Sequence, residues 1–309
     1  MSWDELRLVT TLGPLIAADL GMILPHEHIF VDLRTWDQTG YAQAESADVI
    51  RLMGPEIERA QQVGVTAIVE PSTIGVGRRI DILHAVSLAT KFPLVVPTGV
   101  YREPWLPDWV RAADEADLRS WMIDELTGTI EGTDVQAGWI KIGASDDGLT
   151  AAESKVVRAA AGASVTTGAG IGSHTLRGHV AITQLELIER EGATPEKYIW
   201  IHAHQEPEIA IHHELARRGA WLEYDLIGEP DSDDRFLELI LRALDAGLGD
   251  RVLLSHDRGW YDPAQPGGGV PRPFTYLSET FLPRLSAAGV DNTTIDILTR
   301  INPFRAFAR

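Results

Sequence analysis

Short apolar runs alternate along this chain with longer segments whose apolar residues return at helical spacing. The runs at residues 22–31, 65–70, 94–98, 138–143, 169–174, 198–202, 220–225 and 251–255 are rich in Val, Ile, Leu and aromatic residues and predict strands. Residues 48–62, 79–90, 151–163, 179–191, 207–218 and 233–246 predict helices between them. Asp48 is placed to cap the first helix and Gly64 to end it. An insertion at residues 101–134, with Trp105, Trp109 and Trp121, follows the third strand and carries helical pieces. Ahead of the first strand, residues 6–12 and 15–16 flank Gly13-Pro14, a turn signal that predicts a small N-terminal hairpin. Residues 259–273 form a Gly/Pro-rich loop before a last helical region.

Strand then helix, repeated with short connections, predicts the α/β class and a parallel sheet closed into a (β/α)8 barrel behind that hairpin. A length of 309 residues suits one such barrel. A doubly wound open sheet is the alternative, but no G-x-G-x-x-G follows the first strand. With no low-complexity segment and no evident linker, residues 1–309 are expected to form one domain.

Composition narrows the chemistry. The chain has no cysteine, so disulfides, thiolate-held zinc and a cysteine nucleophile are excluded. Any metal would have to be held by His, Asp, Glu or a modified Lys. The net charge of −18 disfavours nucleic acid and anionic membrane as partners. Asp4, Glu5 and Arg7 interrupt the N-terminus, which does not read as a signal peptide, and no apolar run is long enough to span a bilayer. The expected location is the cytoplasm.

In a (β/α)8 barrel, functional groups gather at the C-terminal ends of the strands. His26 and His28 lie on the first strand, and alternate strand residues face the same side, so the two imidazoles would project together. A lone H-x-H is a weak signal for a metal site. However, the fourth strand carries Lys141, the fifth ends in Ser173-His174-Thr175, the sixth in His202-Ala203-His204 and the eighth in Ser255-His256-Asp257. Metal-competent groups thus recur on five strands at one rim. Lys141 stands between apolar neighbours, where an unpaired ammonium is costly. It is expected either to pair with an acid such as Glu70 or to take up CO2 as a carbamate, a bidentate anion able to bridge two ions. His256 should point opposite to Asp257, and Glu27, facing away from its flanking histidines, is expected to make a structural hydrogen bond. His84, His179, His212 and His213 fall on predicted helices and read as surface or packing residues.

With these residues in view, the chain resembles the phosphotriesterase family of the amidohydrolase superfamily, nearly end to end. The resemblance rests on Leu12-Gly13-Pro14, Gly21-Met22-Ile23-Leu24-Pro25-His26-Glu27-His28 and Pro71-Ser72-Thr73-Ile74-Gly75-Val76-Gly77-Arg78. It continues through Thr98-Gly99-Val100-Tyr101, Lys141, Ser173-His174-Thr175, His202, Ser255-His256-Asp257 and Ile301-Asn302-Pro303-Phe304. It implies two divalent ions, zinc first, with manganese, cobalt or iron as alternatives. His26, His28 and Asp257 would hold the more buried ion and His174 and His202 the more exposed one, with carboxylated Lys141 and a hydroxide bridging them. His204 is the alternative to His202. Asp257 would also be the catalytic proton carrier in hydrolysis of an ester-type bond. Amide substrates remain open, as does a non-catalytic binding role, although every expected metal position is filled by a competent residue.

One departure bears on substrate. In phosphotriesterases proper a histidine follows the aspartate of strand seven and relays a proton outward; this chain reads Tyr224-Asp225-Leu226. A lactone, whose leaving alkoxide stays attached, is therefore expected over a phosphotriester. Tyr101 matches a tyrosine that leans over the site in lactonase-like relatives, or else packs at the rim. Substrate contacts are expected from Tyr101, Arg258 and Trp260 in the loops after strands three and eight. Arg258 or Arg102 could meet an anionic group, or form a salt bridge within its loop. The resemblance suggests a homodimer.

Overall fold

The computed structural model describes residues 5–309. Strands β1 (Leu8–Thr10) and β2 (Gly13–Leu15) make the expected antiparallel hairpin. The strands that follow are β3 (Met22–Leu24), β4 (His28–Phe30), β5 (Val65–Val69), β6 (Leu94–Val95), β7 (Pro97–Thr98), β8 (Trp139–Gly143), β9 (Ile171–His174), β10 (Tyr198–Ile201), β11 (Trp221–Tyr224), β12 (Val252–Leu254) and β13 (Gly259–Tyr261). The helices begin with α1 (Ser46–Gln62), α2 (Ile80–Thr90), α3 (Asp108–Ala112), α4 (Glu115–Thr127), α5 (Ala151–Thr167) and α6 (Gly178–Arg190). They continue with α7 (Ile209–Arg218), α8 (Asp233–Asp245), α9 (Leu282–Ala287), α10 (Asn292–Asp296) and α11 (Asn302–Phe307).

The strands run in the order β12-β11-β10-β9-β8-β7, and across Val96 into β6-β5-β3, every pair parallel. This is a (β/α)8 barrel. Its seam, between the first and eighth strands, closes near the C-terminal rim: Asp257 N–H donates to the His26 carbonyl at 3.2 Å and His28 N–H to the Arg258 carbonyl at 2.8 Å.

Four expectations need correction. The first strand is interrupted at residues 25–27, where Pro25 has no N–H to offer a ladder; β3 pairs with β5, while β4 pairs with β13. The third strand is split at Val96. The loop at 259–273 begins as a strand, because Gly259 adopts φ +93 and comes so close to the His28 carbonyl that an added Cβ would lie 2.1 Å from it. The first helix starts at Ser46 with Glu45 before it, so Asp48 sits in the first turn instead of capping.

Alternation along the strands sorts the barrel interior. Ile23, Ala67, Val69, Val95, Trp139, Ile199, Ile201, Trp221 and Leu253 form one buried apolar cluster with Phe304 and Phe307. On β8 and β11 the next inward positions are Lys141 and Glu223, both buried. A polar layer therefore rests on an apolar one. Helix α11 supports the apolar layer: Asn302 Nδ2 donates to the Gly249 and Val252 carbonyls at 2.8 Å each, and Phe307 packs edge-on to Trp139 at 5.1 Å. The outward strand residues, among them Ile68, Ile140, Trp200 and Leu222, join the larger core under the helices. No helix among the described residues is long and apolar enough to cross a membrane. Phe307→Ala should lower stability to unfolding in urea by about 3–5 kcal/mol.

Candidate metal centre

The side chains of His26, His28, Tyr101, Lys141, His174, His202, Asp257 and Trp260 line one cavity of ≈ 150 Å³ with Val31, Leu33, Pro71 and Val76. The imidazoles cluster closely: ring centroids lie 5.6 Å apart for His26 and His28, 5.3 Å for His26 and His202, and 4.5 Å for His174 and His202.

Three of these imidazoles are oriented from behind. His26 Nδ1 lies 2.6 Å from Glu223 Oε1, and His202 Nδ1 lies 2.7 Å from Asp225 Oδ1. His28 Nδ1 lies 2.7 Å from the Ser72 hydroxyl, which itself contacts Glu70 Oε1 at 2.7 Å. A ring held at Nδ1 leaves Nε2 for the cavity, the arrangement by which a protein fixes the tautomer of a metal-binding histidine. Burial, then the nearby Lys141 and neighbouring histidines, hold His26 well below the usual imidazole range; burial and His202 do the same for His174. Both are thus neutral, as ligands must be. Burial also disfavours charge on His28, but Asp257 and Glu70 outweigh it and raise His28 to about 9, so a cation there competes with a proton.

The donor set fits a divalent ion. Asp257 Oδ1 is buried without a hydrogen-bond partner. It lies 3.2 Å from His28 Nε2 and 3.8 Å from His26 Nε2. Ligand atoms each about 2.1 Å from a tetrahedral ion are roughly 3.4 Å apart. The three residues thus have the spacing of one coordination sphere. Lys141 makes no ion pair with any acid among the described residues, Glu70 included. Burial lowers its amine from 10.5 to about 8.

Two of the candidate metal ligands carry unusual backbones. His202 has φ +64 and Asp257 φ +54, both uncommon for residues with a Cβ. Each is over-determined by a buried carboxylate, as strain at a functional site requires. Asp225 accepts from both the backbone N–H of His202, at 3.0 Å, and its ring. Glu27 grips the residues on either side of Asp257. Its Oε1 accepts from the Ser255 hydroxyl at 2.7 Å, His256 N–H at 2.9 Å and His256 Nδ1 at 2.6 Å, and its Oε2 from Arg258 N–H at 2.8 Å.

Other expected residues fall elsewhere. His256, between Glu27 and the Leu277 N–H at 2.7 Å, is a satisfied core group. His204 is buried behind His202, its Nδ1 3.4 Å from Asp225 Oδ1, and does not line the cavity. Tyr101 and Trp260 are on the cavity wall, but Arg258 is not. Next to Asp257, it is directed to the other side, where its guanidinium donates to the Gly228 carbonyl and lies 5.2 Å from the centre of the Tyr276 ring. Glu223 and Ser72 were not singled out from the sequence. Glu223 had the same signal as Lys141, a charge inside an apolar run, and lies two positions before Asp225.

A parallel barrel with imidazoles, an amine and carboxylates at its C-terminal rim has the build of a metal-dependent hydrolase. The chain belongs to the phosphotriesterase family, whose model matches residues 6–307. It is similar to an aryldialkylphosphatase of Saccharolobus solfataricus, 31% identical, the match covering 94% of this chain and 96% of that one. A solved mutant structure of a phosphotriesterase-like lactonase from Deinococcus radiodurans is 29% identical with a TM-score of 0.88, covering 97% of this chain and 99% of that one. An N-acetyltaurine hydrolase of Xenopus tropicalis is 24% identical, covering 96% of each chain.

Glu27→Gln would set an amide NH2 against N–H donors and free Asp257. Zinc titration should show affinity reduced roughly 10–100-fold, with the far-ultraviolet circular dichroism unchanged.

Proposed function

We propose that this protein is a binuclear metal-dependent hydrolase of small carboxylic esters, lactones above all, with phosphotriesters at most incidental substrates. The observation that carries the reading is the convergence of His26, His28, Lys141, His174, His202 and Asp257 on one small cavity. In this reading His26, His28 and Asp257 would hold one divalent ion and His174 and His202 the other, with Lys141, as its carbamate, supplying further oxygen ligands. When bound, two such ions would supply an activated water near neutral pH and Lewis acidity for the substrate carbonyl.

The chain's own groups do the rest. Asp257 Oδ1, free of hydrogen bonds, accepts the proton of the attacking water and passes it to the leaving oxygen. Glu223 and Asp225 hold His26 and His202 in place. Val31, Leu33, Val76, Tyr101 and Trp260 exclude bulk water and position the apolar part of the substrate. Two features favour a compact ester or lactone: a cavity of ≈ 150 Å³ is small beside the ~300–1,000 Å³ common for ligand sites, and Leu226 cannot relay a proton to a departing group. The similarity to the Deinococcus radiodurans lactonase supports the same choice. The second reading, amide hydrolysis at the same centre, is supported by the likeness to the N-acetyltaurine hydrolase.

Protein prepared without chelators should contain about two divalent ions per chain by plasma mass spectrometry and hydrolyse simple lactones faster than N-acyl amines or paraoxon. The reverse order of lactones and amides would favour the second reading; no metal after reconstitution with bicarbonate would overturn both. Carbamate formation joins the neutral lysine nitrogen to CO2 and releases a proton. Because burial brings the Lys141 amine down to about 8, its neutral form grows as pH rises through that value. At fixed dissolved CO2, uptake of 13C label by chelator-treated protein should therefore rise to a plateau just above pH 8, whereas an ordinary lysine would keep gaining up to about 10.4.

A further inference from the structure

Arg102 does not line the cavity but stands directly beside one of its walls, Tyr101. Its guanidinium lies 5.9 Å from the centre of the Tyr101 ring and 5.2 Å from that of Trp105. The Tyr101 ring lines the cavity and contacts the His174 ring at 5.1 Å. The cation is thus one aromatic ring away from the candidate metal centre. Gly143, two residues beyond Lys141 on the same face of β8, makes the room. A Cβ there would lie 3.2 Å from both Arg102 Cβ and Tyr101 Cδ2.

The chain has 45 acidic residues against 27 basic ones. Even so, Arg102 pairs with no carboxylate within 4.0 Å among the described residues, and its buried Nε has no hydrogen-bond partner. Glu103, its neighbour, is engaged by Arg111 at 2.6 Å. Stacking on two rings restrains the guanidinium, so capturing a ligand costs little further side-chain entropy. Arg258, the other arginine expected to meet an anion, is occupied by Gly228 and Tyr276.

The geometry points to Arg102 as the anchor for an anionic oxygen group on the substrate. The preferred substrate is then an ester or lactone that carries a carboxylate, sulfonate or phosphate a few bonds from the scissile carbonyl. This rests on the hydrolase reading above and narrows its substrate class. The guanidinium, beside the wall residue Tyr101, offers a planar, bidentate donor pair to such a group.

Non-hydrolysable probes separate this inference from turnover. Metal-loaded protein is titrated calorimetrically with acetate, which has one carboxylate for the metal centre, and with malonate, succinate, glutarate and adipate, which add a second at increasing reach. At least one diacid should bind about tenfold tighter than acetate. Arg102→Met should abolish that gain and leave acetate binding unchanged, whereas Arg102→Lys, which keeps the charge, should retain part of it. Diacids no tighter than acetate, or a gain that survives in Arg102→Met, would overturn the assignment. Failure of the hydrolase reading shows separately, as wild-type protein with metal and no turnover of any ester, lactone or amide.

Discussion

The buried carboxylate of Glu27 is the constraint on which the closed barrel and its cavity both depend. It sits between two histidines that face the cavity and points the other way, into the end of the eighth strand. There it accepts four hydrogen bonds, from Ser255, twice from His256 and from Arg258. Leaving any such buried donor unpaired costs about 1–3 kcal/mol. The four together hold the path of the chain past residue 257, and that path includes the left-handed backbone of Asp257, whose Oδ1 lies 3.2 Å from His28 Nε2. Joining the first and eighth strands and completing the candidate coordination sphere are therefore one event. The interruption of the first strand at Pro25 fits this picture. A regular ladder there would use the backbone groups that now meet Arg258 and Asp257.

The same economy of position appears inside the barrel. Trp139 and Trp221 fill the lower layer, and the residues two further along, Lys141 and Glu223, enter the upper one. An amine at that height is surrounded by protein yet open to the cavity. Its charge is disfavoured by burial and stabilised only by more distant acids. The two carboxylates of the seventh strand are unlike in state. Asp225, clamped on His202, is held down to about 2 although burial opposes it, while burial and the Asp225 charge push Glu223 well above the carboxylate range. One strand thereby supports a histidine on each side of the cavity with a single pair of alternating side chains.

Much of this was legible in the residues, and the pattern of success has a physical reason. Strands were visible because each is a predominantly apolar run, and His26, His28, Lys141, His174, His202 and Asp257 were visible as polar breaks within or at the ends of such runs. What stayed hidden depended on long-range pairing. Strand β13 lies inside a Gly/Pro-rich stretch and exists because β4, more than two hundred residues earlier, is there to pair with it. The split at Val96 likewise arises from neighbours on two sides, β5 and β8. Alternation predicted that His256 would turn away from Asp257; applied one residue further, it would also have turned Arg258 away.

Chemistry and selectivity consequently reside in different parts of the fold. The groups that could hold metal come from strand ends locked by buried carboxylates, and their arrangement leaves little freedom. Tyr101, Arg102 and Trp105 come from the segment after the third strand, and Trp260 from β13; of these, Tyr101 and Trp260 meet candidate ligands through ring edges, at 5.1 Å to His174 and 5.6 Å to His28. A change in these loops can alter what fits without disturbing a carboxylate clamp. Leu226 shows the converse, because it stands directly after Asp225 on the rigid side. Its apolar side chain has no proton to carry, yet the backbone and ring clamp of Asp225 on His202 is intact, so residue type at this position can vary without loosening the histidine.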